Sequence, residues 1–385
     1  MAHMGRAGVS RARLVGVALF IVLLVVGLGY FLQSPAGKGT SLTNTGTGAE
    51  SSMTATTLSS STPPTSPSTS SSSSLSGSSS GVSSTASSSS SVSTPQSTST
   101  SASPTSSTAP PTISHVVIIL MENEEYGSVI GNSSAPYQNS LASHYALAGN
   151  YLAVAHPSLP NYLALVGGST FGVSSDCLPW QCSLPSSTTT IATLLDSRHL
   201  SWDEFAESMP ANCSELDGGQ YYARHNPFVY FGDITGNNGT GSTSAYCDSH
   251  VVALTQFYDD LQAGSLPNYS FVTPNICDDA HSCPLSTGDQ WLAGFVPKII
   301  GSSSFSSTAI FIVYDEGASN DLSGGGGQVA CLLVSPFAKS GYVSLVQYTH
   351  YSLLATVEAI FHLGNLGRND SGASPMSDLF ANGLP

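Results

Sequence analysis

The chain has 385 residues and a formal charge of −15, and the charge is unevenly distributed. After residue 112, five basic residues stand against 23 acids, so that part carries a formal charge of −18 (5 − 23). Such a surface excludes nucleic acid as a partner, because nucleic-acid binding requires Lys and Arg to neutralise phosphates. A phosphate ligand would need a metal ion to supply positive charge. Solubility in an acidic or salty habitat is an alternative reason for the acidity.

The first predicted element is residues 14–32, a run of 19 residues without a charge. This length is enough for a helix to cross a bilayer. Arg6, Arg11 and Arg13 precede it, which predicts a cytoplasmic tail over 1–13 and an external location for all later residues. A cleaved signal peptide is the alternative. We therefore expect a cell-surface protein anchored by this helix, or a secreted one if the segment is cleaved.

Residues 33–112 consist almost entirely of Ser, Thr, Pro, Gly and Ala. A stretch of this composition buries too little apolar area to offset its ordering entropy, so it predicts a disordered stalk. Residues 113–385 remain, and their number lies within the range of a single α/β domain.

Short apolar runs in this domain predict strands buried on both faces, with helical patterns between them. The predicted strands are 114–121, 269–273, 308–314 and 329–334. The predicted helices are about 137–148, 160–167, 188–197, 250–263, 287–300 and 349–361. This alternation predicts an α/β fold with a mainly parallel sheet covered by helices. We interpret the glycine run Gly324–Gly327 as a flexible connection, because no Gly-Lys-Ser/Thr follows it.

Seven cysteines follow residue 176, and in an exported domain they are expected to pair. Short spacing favours Cys177–Cys182 and Cys277–Cys283, with Cys213–Cys247 as the third pair among 15 connectivities of six cysteines. Cys331 lies in an apolar run and is predicted to be a buried free thiol.

Two of the predicted strands end in pairs of oxygen-bearing side chains. Glu122 and Asn123 follow the first strand, and Asp315 and Glu316 follow the strand over 308–314. In open α/β sheets ligands bind outside the carboxyl ends of the strands, so the two pairs would meet although they lie 193 positions apart. Such ligands suit Mg²⁺, Ca²⁺ or Mn²⁺, and Zn²⁺ with fewer ligands. Solvated loop acids are the alternative interpretation.

Ser158 precedes Pro160, a residue that suits the first turn of a helix. A phosphoryl group on Ser158 would face the N–H groups at that helix end, and a metal or base would be needed to activate the hydroxyl. A simple N-cap is the alternative role for this serine.

Two histidines are candidates for acid–base work or phosphate binding. If Cys277 and Cys283 are bridged, the loop between them holds His281, which could protonate a leaving alkoxide or be a surface histidine. His350 opens the last helix and is either a second phosphate contact or a structural histidine.

The folded part carries a series of polar motifs in a fixed order. They are Met121-Glu122-Asn123, His156-Pro157-Ser158-x-Pro160-Asn161-Tyr162, Asn275-x-Cys277-x-Asp279-x-His281-x-Cys283, Asp315-Glu316, Ser335-Pro336-Phe337-Ala338-Lys339 and His350-Tyr351-Ser352-Leu353-Leu354. This ordered set, from about Ile113 to Gly367, resembles the phosphoesterase family, which contains bacterial phospholipases C and secreted acid phosphatases.

The resemblance implies a three-layer α/β/α sandwich of the alkaline-phosphatase type with one divalent metal ion. The implied metal ligands are Glu122, Asn123, Ser158, Asp315 and Glu316, and Ser158 is implied to be the nucleophile that becomes phosphorylated. His281 is our choice for the leaving-group acid, with His350 also at the phosphate, and substrate contacts are predicted for Asn161, Asn275 and His156. Glu124 and Glu125 depart from the residues that relatives often carry, and they add negative charge near the metal.

These observations predict a metal-dependent phosphomonoesterase with a phosphoserine intermediate. A phospholipase C-type phosphodiesterase uses the same site and is the first alternative. A non-catalytic stalked surface domain with a structural cation is the second. The expected partners are a phosphate-ester substrate and, through the N-terminal helix, a membrane.

Overall fold

The computed structural model describes residues 112–236, 244–318 and 320–384. The predicted tail, membrane helix and stalk, residues 1–111, lie outside these ranges. None of the helices within the described ranges is both long enough and apolar enough to span a membrane.

Nine strands and ten α-helices form the described part of the chain, and we number them in chain order. The strands are β1 (His115–Met121), β2 (Ala146–Leu152), β3 (Trp202–Ala206), β4 (Val251–Ala253), β5 (Tyr269–Thr273), β6 (Thr308–Tyr314), β7 (Gln328–Val334), β8 (Tyr342–Ser344) and β9 (Tyr348–Thr349). The helices are α1 (Tyr126–Val129), α2 (Pro136–His144), α3 (Ser158–Gly167), α4 (Pro179–Cys182), α5 (Ile191–Ser197), α6 (Gly232–Thr235), α7 (Ala245–His250), α8 (Leu254–Ala263), α9 (Leu285–Ile300) and α10 (His350–Ile360).

The strands form one mixed sheet in the order β4-β3-β5-β1-β6-β7-β2-β8, with β9 also paired to β2. All pairings are parallel except those that β7 makes with β6 and β2. The connection between β6 and β7 contains no α-helix that could return the chain across a face, so β7 runs antiparallel beside β6. The prediction of a mainly parallel sheet is therefore confirmed, and β7 is its exception.

Helices contact both faces of the sheet. β1 pairs in register with β5 and β6, which places Ile118 opposite Phe271 and Met121 opposite Tyr314. Ile118 and Met121 are three positions apart, so their side chains, and those of their partners, lie on opposite faces. Tyr314 donates a hydrogen bond to Gln138 on α2. On the other face, the ring centres of Phe271 and of Tyr162 on α3 lie 6.4 Å apart.

The four predicted strands are present, but several elements were not predicted. The predicted helix over 137–148 ends at His144 because β2 begins at Ala146. The predicted helix over 250–263 is interrupted by the short edge strand β4. β3 was missed because its sequence, Trp202–Ala206, contains two acids, of which Glu204 is buried.

The predicted disulfides are all present: Cys177–Cys182, Cys213–Cys247 and Cys277–Cys283. Cys331 lies on β7 as a buried free thiol, also as predicted.

The glycine run Gly324–Gly327 is packed tightly, so its interpretation as a flexible connection is wrong. Ala153 donates its backbone N–H to the Gly327 carbonyl at 2.9 Å. A Cβ added at Gly326 would lie 2.3 Å from the Ala155 carbonyl oxygen, too close for any side chain. The run therefore fixes the backbone that leads to Ser158.

A Gly326→Ala substitution tests this packing. We expect it to lower the free energy of unfolding by about 1–3 kcal/mol, as overpacking of a dense contact does. The matched control is Gly294→Ala. Gly294 lies on the solvent-exposed face of α9, where a new Cβ meets no atom within 4 Å. That variant should gain about 0.5–1 kcal/mol from helix propensity. Urea unfolding measures both, and equal effects would contradict the packing.

A second buried feature is a carboxyl pair, Glu358 on α10 and Asp370. Asp370 accepts hydrogen bonds from the backbone N–H groups of Leu366 and Arg368, at 2.6 and 2.9 Å. Burial and the charge of Asp370 raise the pKa of Glu358 to about 8. Glu358 is therefore protonated in the folded protein at neutral pH and ionised in the unfolded chain.

This pair predicts a pH-dependent stability. A carboxyl whose pKa is raised by folding stabilises the protein at low pH, and that contribution is lost as pH rises from about 4.5 through about 8. Glu358→Gln removes the titration and keeps a hydrogen-bond donor, so the variant should gain stability over the parent as pH rises. Unfolding measured at pH 5 and pH 8 tests this, with exposed Asp259→Asn as control. Parallel pH profiles for parent and Glu358→Gln would refute it.

Candidate functional site

The ends of β1 and β6 bring two acidic residues together. Because Met121 and Tyr314 are paired, the following residues, Glu122 and Asp315, leave the sheet side by side. The Asp315 N–H donates to the Met121 carbonyl at 2.9 Å, and the Asn123 N–H donates to Asp315 Oδ1 at 3.0 Å. Asn123 has a φ of 58°, a left-handed conformation that is strained for most non-glycine residues. The two predicted ligand pairs therefore meet at one edge.

Ser158 lies at the first turn of α3, directly against these strand ends. Its hydroxyl is 3.0 Å from Glu122 Oε2 and 3.3 Å from Glu316 Oε1, and both carboxylates accept its proton in hydrogen bonds. The N-cap position belongs to Pro157, and Ser158 makes no capping bond. The simple N-cap role is therefore wrong, and a hydroxyl group sits among three carboxylates.

Asp176, an acid that was not predicted from the sequence, lies at the N-terminal end of α3. Asp176 Oδ1 accepts the Leu159 N–H at 3.0 Å, and Pro160 has no N–H to offer. The expected free N–H groups for a phosphoryl group are thus partly absent. Asp176 lies just before the Cys177–Cys182 bridge, which ties its loop.

The carboxylates are buried and raise one another's pKa. Glu122 and Asp315 are fully buried, and Glu316 is nearly so. Burial, followed by the charges of Asp315 and Asp279, raises the pKa of Glu122, and burial with the charge of Glu316 raises that of Asp315. Burial and the charge of Asp176 raise the pKa of Glu316 to about 7. Excess negative charge in a dry site is costly unless a cation or protons neutralise it.

The residues present fit a divalent cation. Asp315 Oδ2 is buried and lacks a hydrogen-bond partner in the described part of the chain. Within the same part, no Lys or Arg forms an ion pair with Glu122, Asp315 or Glu316. The donors are carboxylate and hydroxyl oxygens, which suit hard cations. The amide of Asn123 also reaches the cluster, since its Nδ2 donates to Glu122 Oε2 at 3.3 Å.

Asn161, predicted to contact substrate, is engaged with the loop before Ser158. Its Oδ1 accepts the N–H groups of Val154 and Ala155 at 3.0 and 3.1 Å. Its Nδ2 donates to the carbonyls of Ala155 and Pro157 at 2.8 and 3.3 Å. In this structure Asn161 fixes the loop before Ser158 and has no free polar group for a substrate.

His156, also predicted to contact substrate, holds a carboxylate in place. Its Nε2 donates to the Asp321 carbonyl at 2.9 Å, and its Nδ1 lies 2.6 Å from Glu316 Oε2. The contact with Glu316 is an ion pair when the ring carries both protons.

His350 is buried behind Asp315. Its Nε2 donates to the Asp315 carbonyl at 2.6 Å, and its Nδ1 accepts from Tyr151 Oη at 3.1 Å. Burial lowers its pKa to about 4, so the ring is neutral. Of the two predicted roles, the structural histidine fits this geometry, because neither ring nitrogen is available to a phosphate.

The loop that follows β5 is a closed turn. Asn275, the third predicted substrate contact, accepts the Cys277 and Asp278 N–H groups at 3.0 and 3.2 Å and so organises the turn. The Cys277–Cys283 bridge closes it. The His281 N–H donates to Asp279 Oδ1 at 2.7 Å. The His281 ring remains half-exposed and turned toward the site.

A buried histidine that the sequence did not indicate completes the arrangement. His225 Nδ1 lies 3.3 Å from Asp279 Oδ2, and its Nε2 lies 3.5 Å from Glu122 Oε1. Tyr162 donates to the same Glu122 oxygen at 2.5 Å and stacks on the His225 ring. Tyr162 follows Ser158 by four positions, so helical spacing could have revealed it. His225 is the last residue of a 3₁₀ helix, Ala223–His225, which is too short to give a periodic signal.

Comparison with known sequences gives consistent matches. The model of the phosphoesterase family matches residues 132–364, a range that includes Ser158, His281 and Asp315 and begins after Glu122. The phosphate-repressible acid phosphatase of Penicillium chrysogenum is 35% identical over 246 residues, which cover 61% of this chain and 57% of that one. The phosphatidylinositol-3-phosphatase of Mycobacterium tuberculosis is 30% identical over 277 residues, covering 71% and 85%. The chain thus spans little more than half the length of the fungal relatives.

Comparison with solved structures concerns the fold alone. A Bacteroides thetaiotaomicron chain from a study of glycosaminoglycan metabolism superposes with a TM-score of 0.51 at 8% identity, covering 70% of this chain and 82% of that one. A Vibrio parahaemolyticus protein of the alkaline phosphatase superfamily gives a TM-score of 0.48 at 17% identity, with 70% and 72% covered.

The resemblance noted from the motif order is therefore confirmed by an independent match over more than half of the chain. On this match, the chain belongs to the phosphoesterase family.

Proposed function

We propose that this protein is an extracytoplasmic, metal-dependent phosphomonoesterase that acts through a phosphoserine intermediate. The observation that carries the proposal is the placement of Ser158 Oγ, 3.0 Å from Glu122 and 3.3 Å from Glu316 at the meeting point of two strand ends. A hydroxyl held among buried carboxylates is costly for folding alone. It becomes useful when a cation binds there.

Glu122, Asn123, Ser158, Asp315 and Glu316 would hold that cation. When bound, it would lower the pKa of the serine hydroxyl and draw negative charge from the phosphoryl oxygens. Glu122 and Glu316 are hydrogen-bond acceptors for the Ser158 hydroxyl, so they fix the position of its oxygen. His156 and His350 act through other residues. His156 holds the Glu316 carboxylate, and His350 holds the Asp315 backbone, in position beside the serine.

The reaction proceeds in two displacements. As the Ser158 oxygen attacks phosphorus, its proton passes to the hydrogen-bonded carboxylate of Glu122 or Glu316, a Ser158–phosphorus bond forms, and the bond from phosphorus to the ester oxygen breaks. The departing oxygen takes up a proton, and we assign the protonated His281 ring as its donor. A water then attacks the phosphoserine, which releases phosphate and returns the hydroxyl. The ordered positions of these groups supply most of the catalytic effect.

The names of the relatives favour a monoester substrate over a diester. The relatives named above are an acid phosphatase and a phosphatidylinositol-3-phosphatase, the latter matched over 85% of its length. A phosphomonoester on a lipid head group is therefore a substrate class that we include beside soluble monoesters. The three disulfides support an external location, since such bonds persist in oxidising compartments.

The nucleophile can be tested with Ser158→Ala. Because the hydroxyl forms the covalent intermediate, we expect hydrolysis of p-nitrophenyl phosphate to fall on the order of 10³-fold or more. The control is Ser143→Ala, an exposed serine on α2, which should retain parental activity. Treatment of the parent with a chelator should cause a comparable loss that added divalent cation reverses. Retained activity in Ser158→Ala would exclude the mechanism.

Substrate class is tested by a matched pair of aryl esters. We expect p-nitrophenyl phosphate to be turned over at least about 10²-fold faster than bis-p-nitrophenyl phosphate, since the second aryl group replaces a phosphoryl oxygen that could otherwise contact the bound cation. Phosphatidylinositol 3-phosphate and phosphatidylcholine vesicles extend the comparison to lipids. Faster cleavage of the diester and of phosphatidylcholine would point to a phospholipase C. Bound metal with no hydrolysis of any ester would point to a non-catalytic domain.

A further inference from the structure

His225 lies between two carboxylates and can satisfy only one of them. Its side chain is 2% exposed, with Nδ1 3.3 Å from Asp279 Oδ2 and Nε2 3.5 Å from Glu122 Oε1. A neutral imidazole carries one N–H, so the other nitrogen presents its lone pair to an acceptor. Among the described residues, His225 Nε2 is one of the buried polar atoms without a hydrogen-bond partner. The atom thus faces Glu122 Oε1 without forming a hydrogen bond to it.

His281 supplies a third donor at the same place. One ligand atom each from Glu122, His225 and His281 lies within 4.8 Å of the other two. The His281 backbone is held by Asp279, and Ala280 between them has a φ of 78°, a conformation that non-glycine residues rarely adopt. The bridged loop therefore accepts local strain and turns the His281 ring toward His225, with 5.3 Å between ring centres.

The two oxygens of Glu122 face different neighbours. Oε2 accepts from Ser158 and Asn123, on the side of the oxygen-rich cluster. Oε1 faces Tyr162 and His225, on the histidine side. One carboxylate thus belongs to two donor sets at once, which is the arrangement of a bridging ligand between two metal ions.

We propose a second cation site formed by Glu122 Oε1, His225 Nε2 and a ring nitrogen of His281, with Asp279 as the carboxylate that orients His225. Two imidazoles and one carboxylate favour Zn²⁺ or a similar transition metal over Mg²⁺ or Ca²⁺. A carboxylate behind a ligating histidine is the usual supporting contact in such sites. Zinc bonds of about 2.1 Å need ligand atoms roughly 3.4 Å apart, so a modest closure of the three donors completes the site.

This site deepens the proposed function, on which it rests through the shared Glu122. His281 then serves as a metal ligand, and its role as the proton donor for the leaving oxygen falls away. The ester oxygen that departs on the histidine side would face a bound cation. The two roles of His281 make different predictions for metal content, so they can be separated by experiment.

The experiment counts zinc in the full-length protein. The parent, His225→Ala, His281→Ala and the exposed control His144→Ala are stripped with chelator, reloaded with zinc chloride and freed of excess metal. Elemental analysis then gives zinc per chain. We expect about two zinc ions in the parent and in His144→Ala, and about one in each of the other variants. Half-exposed His281 offers a substitution that leaves the buried core intact, and circular dichroism checks the fold of both.

The outcomes separate the second site from the proposed activity. One zinc per chain in all four proteins, with p-nitrophenyl phosphate still hydrolysed, overturns the second site and leaves the phosphatase intact. If His281→Ala then loses activity only toward esters of poor leaving groups, the histidine is the acid. Two zinc ions in the parent, one in each histidine variant and no hydrolysis by the parent with Zn²⁺, Mg²⁺, Ca²⁺ or Mn²⁺ would support the site and refute the phosphatase.

Discussion

The hydroxyl of Ser158 shares its proton with carboxylates from two different strand ends, and the geometry of the site depends on that contact. Three acidic side chains, Glu122, Asp315 and Glu316, are buried around it without a lysine or arginine in the described part of the chain to pair with them. Burying like charges together is unfavourable in a low dielectric, and their raised pKa values express that cost. In the function that we propose, a cation relieves the repulsion and at the same time contacts the serine oxygen.

Several polar residues near the site hydrogen-bond to other residues of the chain and hold them in place. His350 and His156 hold Asp315 and Glu316, and Asn161 fixes the loop before Ser158. Each supporting contact joins chain segments that are far apart in sequence or lie across a tight turn. The supports are themselves neutral or paired, so they add little charge to an already acidic region.

The sequence was informative where a repeating pattern met a known rule. The apolar runs that form β1 and β6, with the rule that ligands bind at strand ends, are enough to predict Glu122 and Asp315 as site residues. The motif resemblance correctly placed Asn275 and His350 near the site. A motif does not specify the hydrogen-bond partners of an amide or an imidazole. Asn275 closes a turn and His350 faces a carbonyl, which only the packed structure reveals.

His225 and Asp176 could not be predicted, because His225 ends a three-residue 3₁₀ helix and Asp176 lies in a loop, and neither segment has a periodic pattern. Their positions follow from tertiary contacts: His225 packs under Tyr162, and Asp176 reaches the first turn of α3. The same holds for β3, whose acids obscure a strand that is buried by its neighbours.

The central pairing of β1 with β6 joins residues near 120 to residues near 315. A chain that emerges from the ribosome or a translocation channel N-terminus first therefore exposes Glu122 and Ser158 well before Asp315 and Glu316 exist. No proteolytic fragment that ends before β6 can contain the complete constellation. Assembly of the site is therefore a late event in the synthesis of the polypeptide, and a complete site requires that nearly the whole domain has folded.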